Sequence, residues 1–410
     1  MTLSFPSVRQ IVVGVQFLFV AFGSTVLVPL LTGLDPATAL FSAGIGTLLF
    51  HLVTRGQVPI FLGSSFAFIV PIQLAAAQWG WSGVMTSIAG ISVIYFVAAT
   101  LIRLRGVEII QKFFPPVVIG PVIMLIGLSL SGTGVEMASD NWLLAFAALI
   151  TAVVVMLLGR GLLRLLPILA AIVVGYVLAL CLGEVDLSPV AAAPWFALPS
   201  NVAHPIAPML SWEPFVYMMP VAFAVVVEHI GDVYTISNVA GVNFSHKPGL
   251  HRTMAGDGLA CLSAALLGGP PVTTYSEVTG AVQLTKVTNP VVIRVAAVTA
   301  LLFSVFGKLS GVLQSIPTGV LGGVMLLLFG TITTVGLQNL VHNKVDFTQT
   351  RNILIAGGVL TTGVGGAVLS IGTFSLKGVG LAAIVGLVLN VVLPKVKKGN
   401  DNDALQAKQL

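Results

Sequence analysis

Charge is what this sequence has least of. Of 410 residues, 19 are Lys or Arg and 14 are Asp or Glu, together 8%, where soluble domains carry about a quarter. A soluble enzyme of two or three domains is excluded on that ground. Cysteine is nearly absent too: Cys181 and Cys261 stand inside apolar runs without metal-ligand or CxxC spacing, which makes them packing residues and leaves no metal site expected. A cleavable leader is not expected, because Met1–Pro6 is short and the apolar run after it is long enough to span. What is abundant is apolar, with 56% hydrophobic residues and a mean hydropathy of +1.04. Such a chain lies mostly in lipid.

Apolar runs of roughly 17–25 residues recur along the whole chain. They fall near 8–29, 36–53, 59–78, 81–103, 114–131, 141–159, 164–183, 212–240, 255–269, 271–288, 291–312, 317–336, 352–370 and 374–394. The predicted fold is therefore an all-α polytopic membrane protein of about fourteen segments. Basic residues orient it. Arg55, Arg103, Arg105, Lys112, Arg160, Arg164, Lys247, Arg252, Lys286, Lys344, Arg351 and the tail lysines 395, 397, 398 and 408 all fall on one set of alternate loops. The opposite loops carry Asp35, Glu136, Asp140, Glu184, Asp186 and Glu213, and all five tryptophans lie near that side. This is the positive-inside pattern with both termini cytoplasmic; only Lys308 and Lys377 stand against it. Orientation thus explains the net charge of +5, and no nucleic-acid partner is implied.

The two halves of the chain echo each other. Pro115, Ile119, Gly120 and Val122 match Pro317, Leu321, Gly322 and Val324, each pair 202 residues apart. Interrupted segments at Gly63-Ser64-Ser65-Phe66 and Thr273-Thr274-Tyr275-Ser276 correspond in the same way. Two repeats of seven segments must be inverted, because seven is odd. Paired Gly/Pro-interrupted segments in inverted halves point to a transporter substrate site at the bilayer midplane, where irregular backbone is tolerable only against protein or a cavity.

Ten of the fourteen acids sit in loops, at span ends or in the tail; Glu228, Asp232, Asp257 and Glu277 do not. An acid at a helix centre costs roughly 2.5–3.5 kcal/mol on insertion scales, so four in one region need a compensating role. Glu228 and Asp232 are four apart on one helix face. Two carboxylates so close in a low dielectric do not both ionise cheaply, which suits the pair to carrying a proton. Asp257 reads equally as a structural bond between helices or as part of that machinery. Glu277 follows Pro270-Pro271 and a β-branched stretch, so an extended segment and then a half-helix from about Ser276 are predicted. There it would accept N–H bonds from a polar ligand. Phe66, Phe68 and Tyr275 offer aromatic faces at the same depth, although for any one taken alone ordinary packing is the better explanation. His229 points about 100° away from Glu228, and His246 and His251 fall in a basic loop; none is assigned a role.

Taken together, Glu228-His229-Ile230-Gly231, Pro248-Gly249-Leu250-His251-Arg252 and Thr273-Thr274-Tyr275-Ser276-Glu277 resemble the nucleobase–cation symporter-2, or nucleobase–ascorbate transporter, family, with bacterial uracil permeases the nearest likeness. Residues 23–29, 63–68, 195–199 and 307–316 resemble it as well. The resemblance implies fourteen segments in two inverted repeats, with short antiparallel β-strands in segments three and ten. It implies a core domain from 1–112 and 212–315, a gate domain from 113–211 and 316–396, and a cytoplasmic tail at 397–410. It further implies that Glu228, Glu277, Phe66, Ser276 and Tyr275 bind the base, that Glu228, Asp232 and Asp257 handle the coupling proton, and that Phe329 faces the gate.

Departures from the family pattern matter for the coupling. Bacterial uracil permeases commonly have His where this chain has Asp232, and a His common in segment one is here Phe17. Val278 replaces a usual Asn, Ser276 a usual Gly, and Phe329 a common Tyr. An acid at Glu277 resembles uracil transporters rather than xanthine or urate members, which typically have Gln. The expectation is therefore a transporter and not an enzyme: a homodimeric, proton-coupled uracil importer of the bacterial inner membrane, without cofactor, contacting lipid and a small nucleobase. Sodium coupling, a purine substrate, or an anion carrier on the related fold are the alternatives.

Overall fold

The computed structural model describes residues 6–371 and 374–394; Lys395, Lys397, Lys398, Lys408 and the expected tail 397–410 lie outside the described residues. Local sequence decides where the first helices begin. Ser7 and Gln10 cap each other reciprocally at the start of α1 (Val8–Thr32), which ends on the left-handed Gly33. Asp35 then accepts from the Ala37 and Thr38 amides, and Pro36 opens α2 (Pro36–Val53). Strand β1 (Leu62–Ser64) and a 3-10 turn at Phe66–Phe68 lead into α3 (Ile69–Arg105), which is kinked at Gly80. Next come α4 (Glu108–Phe113), α5 (Pro116–Ser139), α6 (Trp142–Leu158) and α7 (Pro167–Leu182). The following loop carries the short helices α8 (Ser188–Ala192) and α9 (Ser200–Ala203).

The second half runs α10 (Trp212–Tyr217), α11 (Met219–Ala240), α12 (Leu250–Leu267), β2 (Val272–Thr274), α13 (Ser276–Thr285) and α14 (Pro290–Ser304). It continues with α15 (Gly307–Gln314), α16 (Thr318–His342), α17 (Thr350–Val364), a hairpin of β3 (Val368–Ile371) and β4 (Phe374–Lys377), and α18 (Gly378–Val392). Among the described residues six helical stretches are long and apolar enough to cross a membrane: 8–32, 36–53, 66–105, 116–139, 212–240 and 318–342. Helices α6, α7, α14 and α18 are apolar but shorter. The chain is a multi-pass membrane protein.

Where the apolar runs and the helices differ, backbone chemistry is the reason. The run at 291–312 breaks into α14 and α15 at Val305-Phe306, where the Phe306 backbone leaves helical geometry (φ −89°, ψ 88°). The runs expected to end at 370 and begin at 374 instead give way to the hairpin, because Gly365-Gly366 stops α17 and β-branched and alternating residues follow.

Two sets of helices pack among themselves. Helices α1, α2, α3, α12 and α14 form one, and α5, α6, α7, α16, α17 and α18 the other. In the second set α5 and α16 run antiparallel with their backbones touching. A Cβ on Gly120 would meet Leu340 at 2.5 Å, one on Gly336 would meet Met124 N at 2.5 Å, and one on Gly322 would meet Ala138 N at 2.2 Å. Small residues permit this approach, and in lipid such close packing drives helix association. The loop carrying α8 and α9 is tied to its neighbours. Asp35 accepts from Ser200 N and Oγ, both at 3.1 Å, and from Ser310 Oγ at 3.3 Å. Lys308 donates from Nζ to the Val190 carbonyl oxygen at 2.7 Å and stands over the Trp195 ring. It acts as a local clasp.

Candidate functional site

Strands β1 and β2 meet as an antiparallel pair, Leu62 opposite Thr274 and Ser64 opposite Val272. Two three-residue strands leave much backbone unpaired, and lipid offers no partners. Neighbouring side chains supply them. The Leu62 amide donates to Thr47 Oγ1 at 2.9 Å, Cys261 Sγ to the Val272 carbonyl at 3.0 Å, and Ser64 Oγ to the Thr25 carbonyl at 3.1 Å. Tyr275 bars the crossing: its hydroxyl donates to the Ser64 carbonyl at 2.7 Å and its amide to the Phe61 carbonyl at 3.1 Å. Its ring lies against Gly63, where a Cβ would fall 2.4 Å from Cζ. The ends of the strands lead into the first turns of α3 and α13, as predicted for Ser276.

A cavity of about 500 Å³ opens beside this crossing, within the range of small-molecule sites. One wall is polar, made of Ser64, Ser65, Phe66, Ser276, Glu277 and, from α11, Glu228. The opposite wall, from α5 and α16, is apolar apart from Thr331. The cavity reaches Met156 and Pro167, which flank the basic segment Arg160–Arg164, and Val335 beyond. Glu228, Ser276 and Glu277 are solvent-exposed within it. Glu277 is steadied by Ser24 of α1, whose hydroxyl donates to Oε1 at 3.2 Å.

Helix α11 distributes its polar side chains to three partners. Glu228 faces the cavity. Asp232, one turn on and buried, accepts from Thr274 Oγ1 at 2.8 Å and Ser276 Oγ at 2.6 Å, pinning α11 to the start of α13. His229 turns instead to α12 and contacts Asp257 and Thr253, all three buried. Asp257, expected among the coupling acids, thus lies away from the cavity as an inter-helix partner. Tyr275 reaches the cavity, but its hydroxyl is committed to Ser64. Phe329, expected to face the gate cavity, does not line it: it is buried against α5, with its ring 3.3 Å from where a Gly134 Cβ would lie. Position 329 falls on the α5-facing side of α16, whereas Leu327, Leu328, Thr331 and Ile332 line the cavity. The bonds made by Ser24 and Thr253 have no sequence signal, because a lone hydroxyl in an apolar helix carries no spacing, and the interrupted segment that contains Thr274 does not encode its bond to Asp232.

A polar pocket made by crossed strand ends among long apolar helices has the geometry of a membrane transporter. The fold agrees. The transmembrane domain of the cyanobacterial bicarbonate transporter BicA superposes with a TM-score of 0.64 at 15% identity, over 95% of this chain and 98% of that one. Residues 8–372 match the profile of the Permease family of xanthine and uracil permeases, and the chain belongs to this nucleobase–ascorbate transporter family. A "Probable uracil permease" of Haemophilus influenzae is 48% identical over 398 residues, 95% of each chain. A "Uracil permease" of Bacillus caldolyticus is 45% identical over 412 residues, 97% of this chain and 95% of that one.

Proposed function

We propose that this protein imports a nucleobase, uracil, by proton symport with alternating access. The observation that carries the reading is the pair Glu228 and Glu277, two carboxylates exposed in one cavity beside strand-end backbone. A ring with N–H donors on its edge suits two acceptors, and the names of the relatives support uracil. Backbone at Phe66 and Ser276 completes the polar wall, with the Phe66 ring beside it, and Tyr275 holds the strands that present them. Glu228 takes up the coupling proton and Asp232 tunes it through Ser276 and Thr274. The cavity's reach toward the Arg160–Arg164 segment supports a state open to the cytoplasm.

The two packing sets support a core of 1–112 and 212–315 moving against a gate of 113–211 and 316–396. The antiparallel course of α5 and α16 and the antiparallel strand pair support two inverted repeats of seven segments. The protein works as a homodimer in the bacterial inner membrane with both termini cytoplasmic. The decisive experiment is uptake of labelled uracil, competed by thymine, xanthine, urate and ascorbate, with and without a protonophore. Uptake that survives the protonophore and requires sodium overturns proton coupling and makes Asp232 the candidate sodium ligand, since hard cations take oxygen ligands. Preferential competition by xanthine or urate overturns the pyrimidine assignment.

A further inference from the structure

His229 and its partner Asp257 are titratable side chains beside this site that the transport cycle leaves unused. Its Nδ1 lies 2.9 Å from Asp257 Oδ2 and its Nε2 lies 2.9 Å from Thr253 Oγ1. All three side chains are 0% exposed. The Thr253 hydroxyl is also 3.0 Å from the carbonyl oxygen of Leu250, on its own helix. A hydroxyl has one proton to donate and lone pairs to accept, so Thr253 has a choice of two acceptors.

That choice decides what the imidazole holds. With the hydroxyl donating to Nε2, the ring is neutral and its Nδ1–H donates to the Asp257 carboxylate. With the hydroxyl swung to Leu250, its oxygen accepts from an Nε2–H, and the ring carries a second proton while still donating to Asp257. Both states are fully hydrogen-bonded around the ring; between them one proton is added at Nε2 and the Thr253 hydroxyl hydrogen turns to the Leu250 carbonyl. A histidine kept for packing alone needs only one such state. Buried polar groups that find partners in one state only are costly in the other; here both ring nitrogens keep a partner in either state.

Acidic side chains surround the ring. Glu228 and Asp232 precede and follow His229 on α11, and Asp257 touches it from α12. Among other titratable side chains on the packed elements, Tyr95 of α3 stands edge-on to the imidazole at 6.4 Å between centroids. Cys261 of α12 donates to the Val272 carbonyl, and His51 of α2 lies 3.3 Å from the Ile60 carbonyl oxygen. Glu277 bonds Ser24, and His251 and Arg252 sit at the start of α12.

We propose that Thr253, His229 and Asp257 form a second protonation site, sealed from the cavity and coupled to the ionisation of Glu228 and Asp232 through α11. His229 is a positioning residue in it and makes no substrate contact. This deepens the proton-symport reading and rests on it, but its test does not need uracil. Melting temperatures of the purified, ligand-free protein are to be compared between about pH 5 and 8, the window in which His titrates, for wild type, Thr253→Val, Thr253→Ser and His229→Gln. Valine keeps the shape of threonine and removes the hydroxyl; serine keeps the hydroxyl and loses a methyl.

The difference between the wild-type and Thr253→Val melting curves is expected to vary with pH, and that for Thr253→Ser to stay constant. His229→Gln should behave like Thr253→Val. Uracil affinity, which one linked proton changes by up to about tenfold per pH unit, should lose part of its pH dependence in the same variants. A constant offset for Thr253→Val, or a larger disturbance by serine than by valine as packing requires, overturns the proposal. If His229→Gln does not fold, the valine and serine variants decide. A wild type that binds no uracil sinks the assigned substrate while the melting comparison stands.

Discussion

Replacing Gly63 by alanine tests whether the strand crossing sets the binding geometry. The added Cβ would lie 2.4 Å from Tyr275 Cζ, 2.5 Å from Cε2 and 2.8 Å from Oη, where ordinary contact begins at 3.4 Å. The ring must therefore retreat by about 1 Å, and it is buried with both its hydroxyl and its amide bonded across the crossing. Overpacking of this kind costs about 1–3 kcal/mol, and loss of the Tyr275–Ser64 bond about 0.5–1.5 kcal/mol more. A total of about 1.5–4.5 kcal/mol corresponds to roughly ten- to a thousandfold in affinity where the displaced strand folds but misplaces Ser276 and Glu277. The assay is uracil binding and melting temperature side by side, with Gly132→Ala as the control, since no atom lies within 4 Å of a Cβ there. Wild-type affinity and melting temperature for Gly63→Ala would refute the crossing as the element that positions the site.

Three further outcomes are expected. Glu277→Gln keeps an oxygen for Ser24, so the protein folds, but it gives up a charged acceptor worth about 1.5–3 kcal/mol, or roughly 10–150-fold in uracil affinity; unimpaired uptake removes Glu277 from the site. Asp232→Asn accepts through only one oxygen, so either Thr274 or Ser276 must turn its hydroxyl to accept from the new amide, and protonophore-sensitive accumulation should fall further than binding does; equal losses would make Asp232 purely structural. In the loop between α16 and α17, the Thr348 hydroxyl and amide and the Gln349 amide hold the Asp346 carboxyl below the usual carboxylate range. Its contribution is complete above the ordinary Asp value of about 3.9 and is lost as pH falls through the lower folded value. Amide exchange in this loop should accordingly separate wild type from Asp346→Asn at neutral pH and converge near pH 2, the lower end of the carboxylate range.

Much of the architecture was legible because lipid imposes strong rules. The start of α2 at Pro36, the extended stretch before Ser276 and the break at Gly63-Ser64 each follow from caps, prolines and interrupted apolar runs. The hairpin at 368–377 was not legible, because Val, Leu, Ser and Ile in a membrane protein read equally as apolar helix. Helical period also placed Glu228 and His229 on different faces without saying what either face meets. Phe329 shows the same limit: one residue's rotation around α16 separates a cavity wall from a contact with α5.

The sequence by itself determined that the chain spans a membrane many times and that four acids between residues 228 and 277 must be compensated. Those conclusions need only the cost of moving charge and backbone out of water, which acts on each segment independently. Tertiary structure alone decided how the compensation is divided: Glu228 and Glu277 to a cavity, Asp232 to two hydroxyls, Asp257 to an imidazole. A carboxylate's partners come from helices distant in the chain, such as Ser24 for Glu277, and no local spacing encodes them.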